Sequence, residues 1–114
     1  MRALHPLRAA GAAVTANESR PATAILHDAP DARLVVFRLA PGQAVPPHRS
    51  PSTVLLTVLE GVGVLSGESA GAPAERTCAA GDVVAYAPHE LHGMRATDEA
   101  LLLLATITPR PGSR

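Results

Sequence analysis

Two histidine-bearing segments carry most of the side chains in this sequence that could do chemistry. In the first, PGQAVPPHRS, Gly42 is followed six residues later by His48, with Arg49 and Ser50 directly after it. In the second, GDVVAYAPHELHG, Gly81 is followed eleven residues later by His92, and Tyr86, His89 and Glu90 lie between them. Imidazole changes charge near neutral pH and serves as acid, base or metal ligand. Tyr86, His89 and Glu90 are of the types that do acid–base work. Taken residue by residue, the plainer reading puts His89 on an exposed bend and makes His92 a hydrogen-bonded core histidine. His5 and His27 lie outside both segments and read as structural or solvated. Cys78 would be nucleophilic in an electropositive setting, but its small neighbours point to a buried, inert thiol. The chain has no Gly-rich phosphate loop, nucleophile elbow or zinc-type cysteine pair.

The elements that must position these residues are short strands. Ala22 to His27 and Ala32 to Leu39 read as strands joined by the turn residues DAPD. In the second of them Arg33, Val35, Phe37 and Leu39 share one face, and Leu34, Val36 and Arg38 the other. Neither face is purely polar, so both call for partial cover. Pro41-Gly42 marks a turn, and Pro46 and Pro47 hold the chain extended into His48. Ser52 to Leu59 is a further strand, turned by Glu60-Gly61 into Val62 to Leu65. GESAGAP, residues 67–73, reads as a flexible loop tip. Arg76 to Ala79, Val83 to Ala87, His92 to Arg95 and Ala100 to Ile107 complete the series. Gly/Pro/Asp turns at near-regular spacing point to a sandwich or barrel.

Residues 1–20 form an N-terminal extension without clear period, in which Ala9 to Ala13 could make a helical turn weakened by Gly11. Residues 21–108 are the barrel, and 109–114 a frayed tail. Leu101 to Leu104 are apolar on both faces of one strand, which demands cover on both sides. A second subunit or the N-terminal segment would supply it, so a homodimer is expected. A length of 114 residues suits one domain. Zero formal net charge with mixed signs gives no patch for nucleic acid. One cysteine makes no internal disulfide, the N-terminus is too weakly apolar for a convincing signal peptide, and no run is long enough to span a membrane. A cytoplasmic setting is expected.

From Leu34 to Ile107 the sequence resembles the cupin superfamily of small antiparallel jelly-roll barrels. Gly42, His48 and Gly61 match its first motif, and Gly81, Pro88 and His92 its second, with the proline shifted by one place. The second histidine position of the first motif is Ser50, and the glutamate position falls on Val54. The resemblance implies an all-β, double-sheet fold. It also implies a site for a divalent metal (Fe, Mn, Ni, Cu or Zn), of which two matching ligands remain. Barrel alternation turns Val54, Leu56 and Val58 inward, so the wall that should hold a carboxylate is aliphatic. Met94 shares inward parity with His92, which turns Arg95 outward; Arg49 likewise points out if His48 points in. Arg38 is read as a surface salt-bridge partner. One rescue is His89, three residues before His92, swinging in to make a three-histidine set, with Glu90 approaching.

Three functional readings follow. The first is a small-molecule binder whose apolar pocket is lined by His48, Ser50, Val54, Leu56, Val58, His92 and Met94. The second is a metal-dependent oxygenase, isomerase or lyase using His48, His92 and His89. A barrel kept for assembly is a third.

Overall fold

Pro6 opens the first element, because its fixed φ suits the first helical position. The His5 ring caps it by accepting the Arg8 N–H at 3.2 Å. Helix α1 (Pro6–Ala12) results, starting upstream of the Ala-rich stretch that composition favours. Its far end is closed by Arg38, whose Nη1 donates to the carbonyl oxygens of Ala10 (3.2 Å) and Gly11 (2.9 Å). The Ala10 oxygen also accepts the capping Ala13 N–H at 3.3 Å, and the last carbonyls of a helix lack the usual partner one turn on, so Arg38 serves as a C-terminal clamp where a surface ion pair was expected.

The structure, a computed structural model, describes residues 1–112. Nine strands follow α1: β1 (Ala22–Ala29), β2 (Ala32–Leu39), β3 (Ala44–His48), β4 (Thr53–Glu60), β5 (Val62–Ser69), β6 (Ala72–Ala79), β7 (Val83–Tyr86), β8 (His92–Ala96) and β9 (Leu101–Thr108). They pair antiparallel in a five-stranded sheet, β1-β2-β9-β4-β7, and a four-stranded sheet, β3-β8-β5-β6. This is the expected all-β jelly roll.

Alternation along the strands builds the core between the sheets. Val54, Leu56 and Val58 of β4 are buried, and they meet Leu39, Leu101 and Leu103. The outer face of the larger sheet is covered too. Leu102 and Val36 pack against Ala10 of α1. The leucine run of β9 is therefore covered on both faces within one chain, and the N-terminal segment supplies the outer cover.

Two loop expectations are corrected. Residues 67–73 are not a loose tip: β5 and β6 pair through Ser69 and Ala72 around Ala70 and Gly71, at φ +53° and +79°. Such paired positive values match the twist of the flanking strands. Gly67 lies within β5 because the Tyr86 ring passes beside it, and a Cβ there would sit 3.1 Å from that ring. Pro73 is tolerated because β6 is an edge strand. The tail is anchored as far as Arg110. Ser52 Oγ donates to the Pro109 carbonyl (2.6 Å), and the Arg110 N–H donates to that of Pro30 (3.2 Å). The last two residues of the tail, 113 and 114, lie outside the described ones. Among the described residues no helix is long and apolar enough to cross a membrane.

Candidate functional site

His48 and His92 are brought together by a local break in pairing. β3 is an edge strand, where Pro46 and Pro47 can forgo N–H donation. Its register to β8 shifts between Val45, opposite Met94, and His48, opposite His92. Gly93 permits this, since a Cβ there would lie 2.9 Å from the Pro47 nitrogen and the Val45 oxygen. The two imidazoles face one another with ring centroids 4.2 Å apart and planes tilted by 58°. The Tyr86 ring lies 5.3 Å from His92. Its hydroxyl donates to the Ser66 carbonyl at 2.9 Å, and burial pushes its pKa up to about 12. Tyr86 is thus a neutral wall near neutral pH.

Each imidazole is tied to the carbonyl two residues before it. His48 Nδ1 lies 3.1 Å from the Pro46 oxygen, and His92 Nδ1 lies 3.2 Å from the Glu90 oxygen. A carbonyl oxygen accepts and cannot donate, so Nδ1 carries the proton in both rings. In the neutral ring the lone pair is then on Nε2. Burial lowers the pKa of His92 below the usual 6.5; the adjacent His48 lowers it further, and the bond to the Glu90 carbonyl opposes both. His92 is 6% exposed, whereas His48 is open to solvent.

The histidines stand in a cavity of about 320 Å³ between the sheets. Val54, Leu56 and Met94 form its buried wall, and Ser50 and Arg49 belong to its rim. Arg49 is held there by Glu68 and by the His89 carbonyl, each at 2.8 Å. The Leu91 N–H and then Arg49 keep the Glu68 carboxyl below its usual 4.5. Arg95 points outward, as its parity requires, and pairs with Glu75 at 3.3 Å.

Three expected site residues do not join the cavity. Val58 is buried deeper, where its backbone bonds the Gly81-Asp82 turn and its side chain joins the core. His89 stays on the exposed bend at φ +67°, with its N–H donating to the Ser50 carbonyl at 2.7 Å. The Glu90 carboxylate accepts the Ala87 N–H at 2.8 Å, which holds it on its own bend. The cavity wall also includes Phe37, Val45, Pro51, Ala105, Ile107 and Pro111, which went unassigned from sequence. Inward parity marks Phe37 and Ile107; nothing local marks Pro111, which arrives with the anchored tail. A larger hollow of about 440 Å³ with a mixed polar and apolar lining, between the N-terminal segment and the outer sheet face near Arg38, is remote from both histidines.

The depressed pKa of His92 has a measurable consequence. As pH falls, the unfolded chain takes up this proton first. The contribution of His92 to stability is complete above 6.5 and is lost as pH drops from there through the lower folded-state value. Thermal unfolding should therefore shift down on acidification beginning near pH 6.5, and His92→Phe should remove that part of the shift. The losses from Asp28, held low first by its bond to Arg110, and from Glu68 begin below their usual 3.8 and 4.5 and should remain. A His92→Phe curve as steep as wild type between pH 6.5 and 4.5 would contradict this assignment.

The donor set does not fit a tightly held divalent metal. Among the described residues no three of His, Cys, Asp and Glu converge. Two neutral imidazoles beside Val54 and Leu56 leave the charge of such an ion uncompensated in an apolar wall.

Residues 35–107 match the family model described as Cupin domain. Comparison with curated proteins finds no match. Among solved structures, an RmlC-like cupin protein from Desulfovibrio desulfuricans is 26% identical with a TM-score of 0.77, over 96% of this chain and 97% of that one. TT1209 from Thermus thermophilus is 25% identical with a TM-score of 0.78, over 95% and 98%. A conserved protein with a double-stranded β-helix domain from Klebsiella pneumoniae is 20% identical with a TM-score of 0.78, over 92% and 90%. With the family model spanning more than half its length and the paired-sheet barrel in place, this chain belongs to the cupin superfamily.

Proposed function

We propose that the protein binds a small, largely apolar molecule in its barrel, with His48 and His92 as polar anchors. The observation that carries this reading is the make-up of the cavity: about 320 Å³, aliphatic on its buried side, with two adjacent, mutually tilted imidazoles among its lining. Such a site has the shape expected of a small-molecule pocket, a concave apolar surface with a few convergent polar groups. The metal-dependent oxygenase, isomerase or lyase would need further donors. The nearest sequence candidates, His89 and Glu90, are held elsewhere by their own bend.

Two measurements test the reading together. Protein purified without a histidine tag should carry well under one equivalent of iron, manganese, nickel, copper or zinc, and adding each ion should leave its melting temperature unchanged. Toluene and para-cresol should raise that temperature, since a ligand that prefers the folded state at 100 times its Kd adds roughly 2.7 kcal/mol. Near-stoichiometric metal that disappears in a His48→Ala, His92→Ala double variant would overturn the reading in favour of the enzyme.

A further inference from the structure

We infer that the cavity selects neutral ligands carrying an acidic hydroxyl group, a simple phenol or an enol, over their ether, hydrocarbon and carboxylate counterparts. This rests on the cavity reading above and adds the chemical class of the occupant.

The argument begins with the two backbone carbonyls. Those of Pro46 and Glu90 hold the Nδ1 protons of His48 and His92, so each neutral ring turns an accepting Nε2 away from its own strand. Among the described residues no protein group donates to either Nε2, and no buried side-chain nitrogen or oxygen lacks a partner. His92 Nε2 therefore keeps access to the cavity. The two acceptors differ in their surroundings. His48 is exposed, so water can serve it at the rim. His92 is 6% exposed, and a ligand that fills the cavity takes its water away. That ligand must then supply an O–H, or leave a desolvated lone pair with no donor.

The same geometry disfavours competitors. A methyl ether matches the shape of a phenol and lacks the proton. A carboxylate would face two lone pairs. Arg49, the cationic side chain on the rim, is already held by Glu68 and the His89 carbonyl, both at 2.8 Å. Val54, Leu56 and Met94 offer an ionised ligand nothing but apolar wall.

The test compares four probes of one shape by heteronuclear NMR titration at neutral pH: para-cresol, para-methylanisole, toluene and para-toluate. Para-cresol should perturb residues of the cavity wall and bind at least about tenfold more tightly than para-methylanisole or toluene, the ratio of about 1.4 kcal/mol that one satisfied acceptor is worth. Para-toluate should bind worst. His92→Phe keeps an apolar ring in place and should bring para-cresol and para-methylanisole level; the wild-type comparison stands whether or not that variant folds. Equal binding of para-cresol and para-methylanisole would overturn the hydroxyl rule and leave the cavity reading intact. Tightest binding of para-toluate would overturn it in favour of a charged imidazolium. Binding of no probe would remove the cavity reading, and the rule with it.

Discussion

Leu103→Ala is expected to cost about 2–5 kcal/mol of folding free energy, and Leu102→Ala, one residue away on the same strand, clearly less. β9 is the central strand of the larger sheet, paired on one side to β2 and on the other to β4. Leu103 is fully buried between the sheets, with Phe37 and Val58 as its cross-strand partners. Everything around it belongs to a strand with neighbours of its own, so the space left by truncation cannot close. Leu102 faces the other way, against Ala10 and Val36. Its cover is a single seven-residue helix outside the sheets, which can settle inward. Domains of this size are stable by about 5–15 kcal/mol, so the Leu103 loss would be a large fraction of the whole. Urea unfolding should show a lower midpoint with an unchanged slope. Equal costs, or the reverse order, would mean that the centre of the core does not lie between the sheets.

How much of this was readable beforehand depended on whether the physics was local. Alternation is local, so it alone turns Val54, Leu56 and Met94 inward, where they line the cavity, and sets Val35, Phe37 and Leu39 on one face. The Gly42–His48 and Gly81–His92 spacings carried the fold, because positive-φ turns at Gly42 and Gly81 recur where strands change sheet. Depth along a strand is not local. Val58 has the parity of Val54 but lies beyond the cavity, beside the Gly81-Asp82 turn. Breaker residues misled where a tertiary neighbour explains them: Gly67 makes room for Tyr86, and Pro73 sits on an edge. The bonds that fix the tautomers of His48 and His92 were invisible for a different reason. They run to backbone carbonyls, which every residue has, and a particular bend aims them. Arg38 was assigned the wrong kind of partner on the same grounds, since its acceptors are main-chain oxygens of a helix that composition only hinted at.

Removing residues 1–13 should destabilise the barrel and make it self-associate. The deletion takes away α1 and with it the cover over Val36, which is fully buried, and Leu102, which is 5% exposed. Exposing two such side chains costs on the order of 3–6 kcal/mol by transfer of apolar surface, an upper bound because the unfolded chain hides some of that surface too. It also removes Arg2, which binds His27 Nδ1 at 2.8 Å and the Leu26 carbonyl at 3.3 Å. The newly bared stripe lies across the middle of a sheet, where a second copy can cover it face to face. Light scattering on a size-exclusion column should therefore find the truncated chain in a larger species than the full chain, with the difference growing with concentration. A truncated chain as stable and as small as the full one would mean that α1 does not hold this face. The same experiment bears on a dimer of the full chain. Because α1 already covers Leu102 on the outer face of β9, a second copy would meet only the half-buried Leu104 and its neighbours there. The sheet edges β1 and β7 carry the exposed apolar residues Ile25 and Val83, so if a dimer of the full chain pairs through either edge, Ile25→Lys or Val83→Lys should dissociate it.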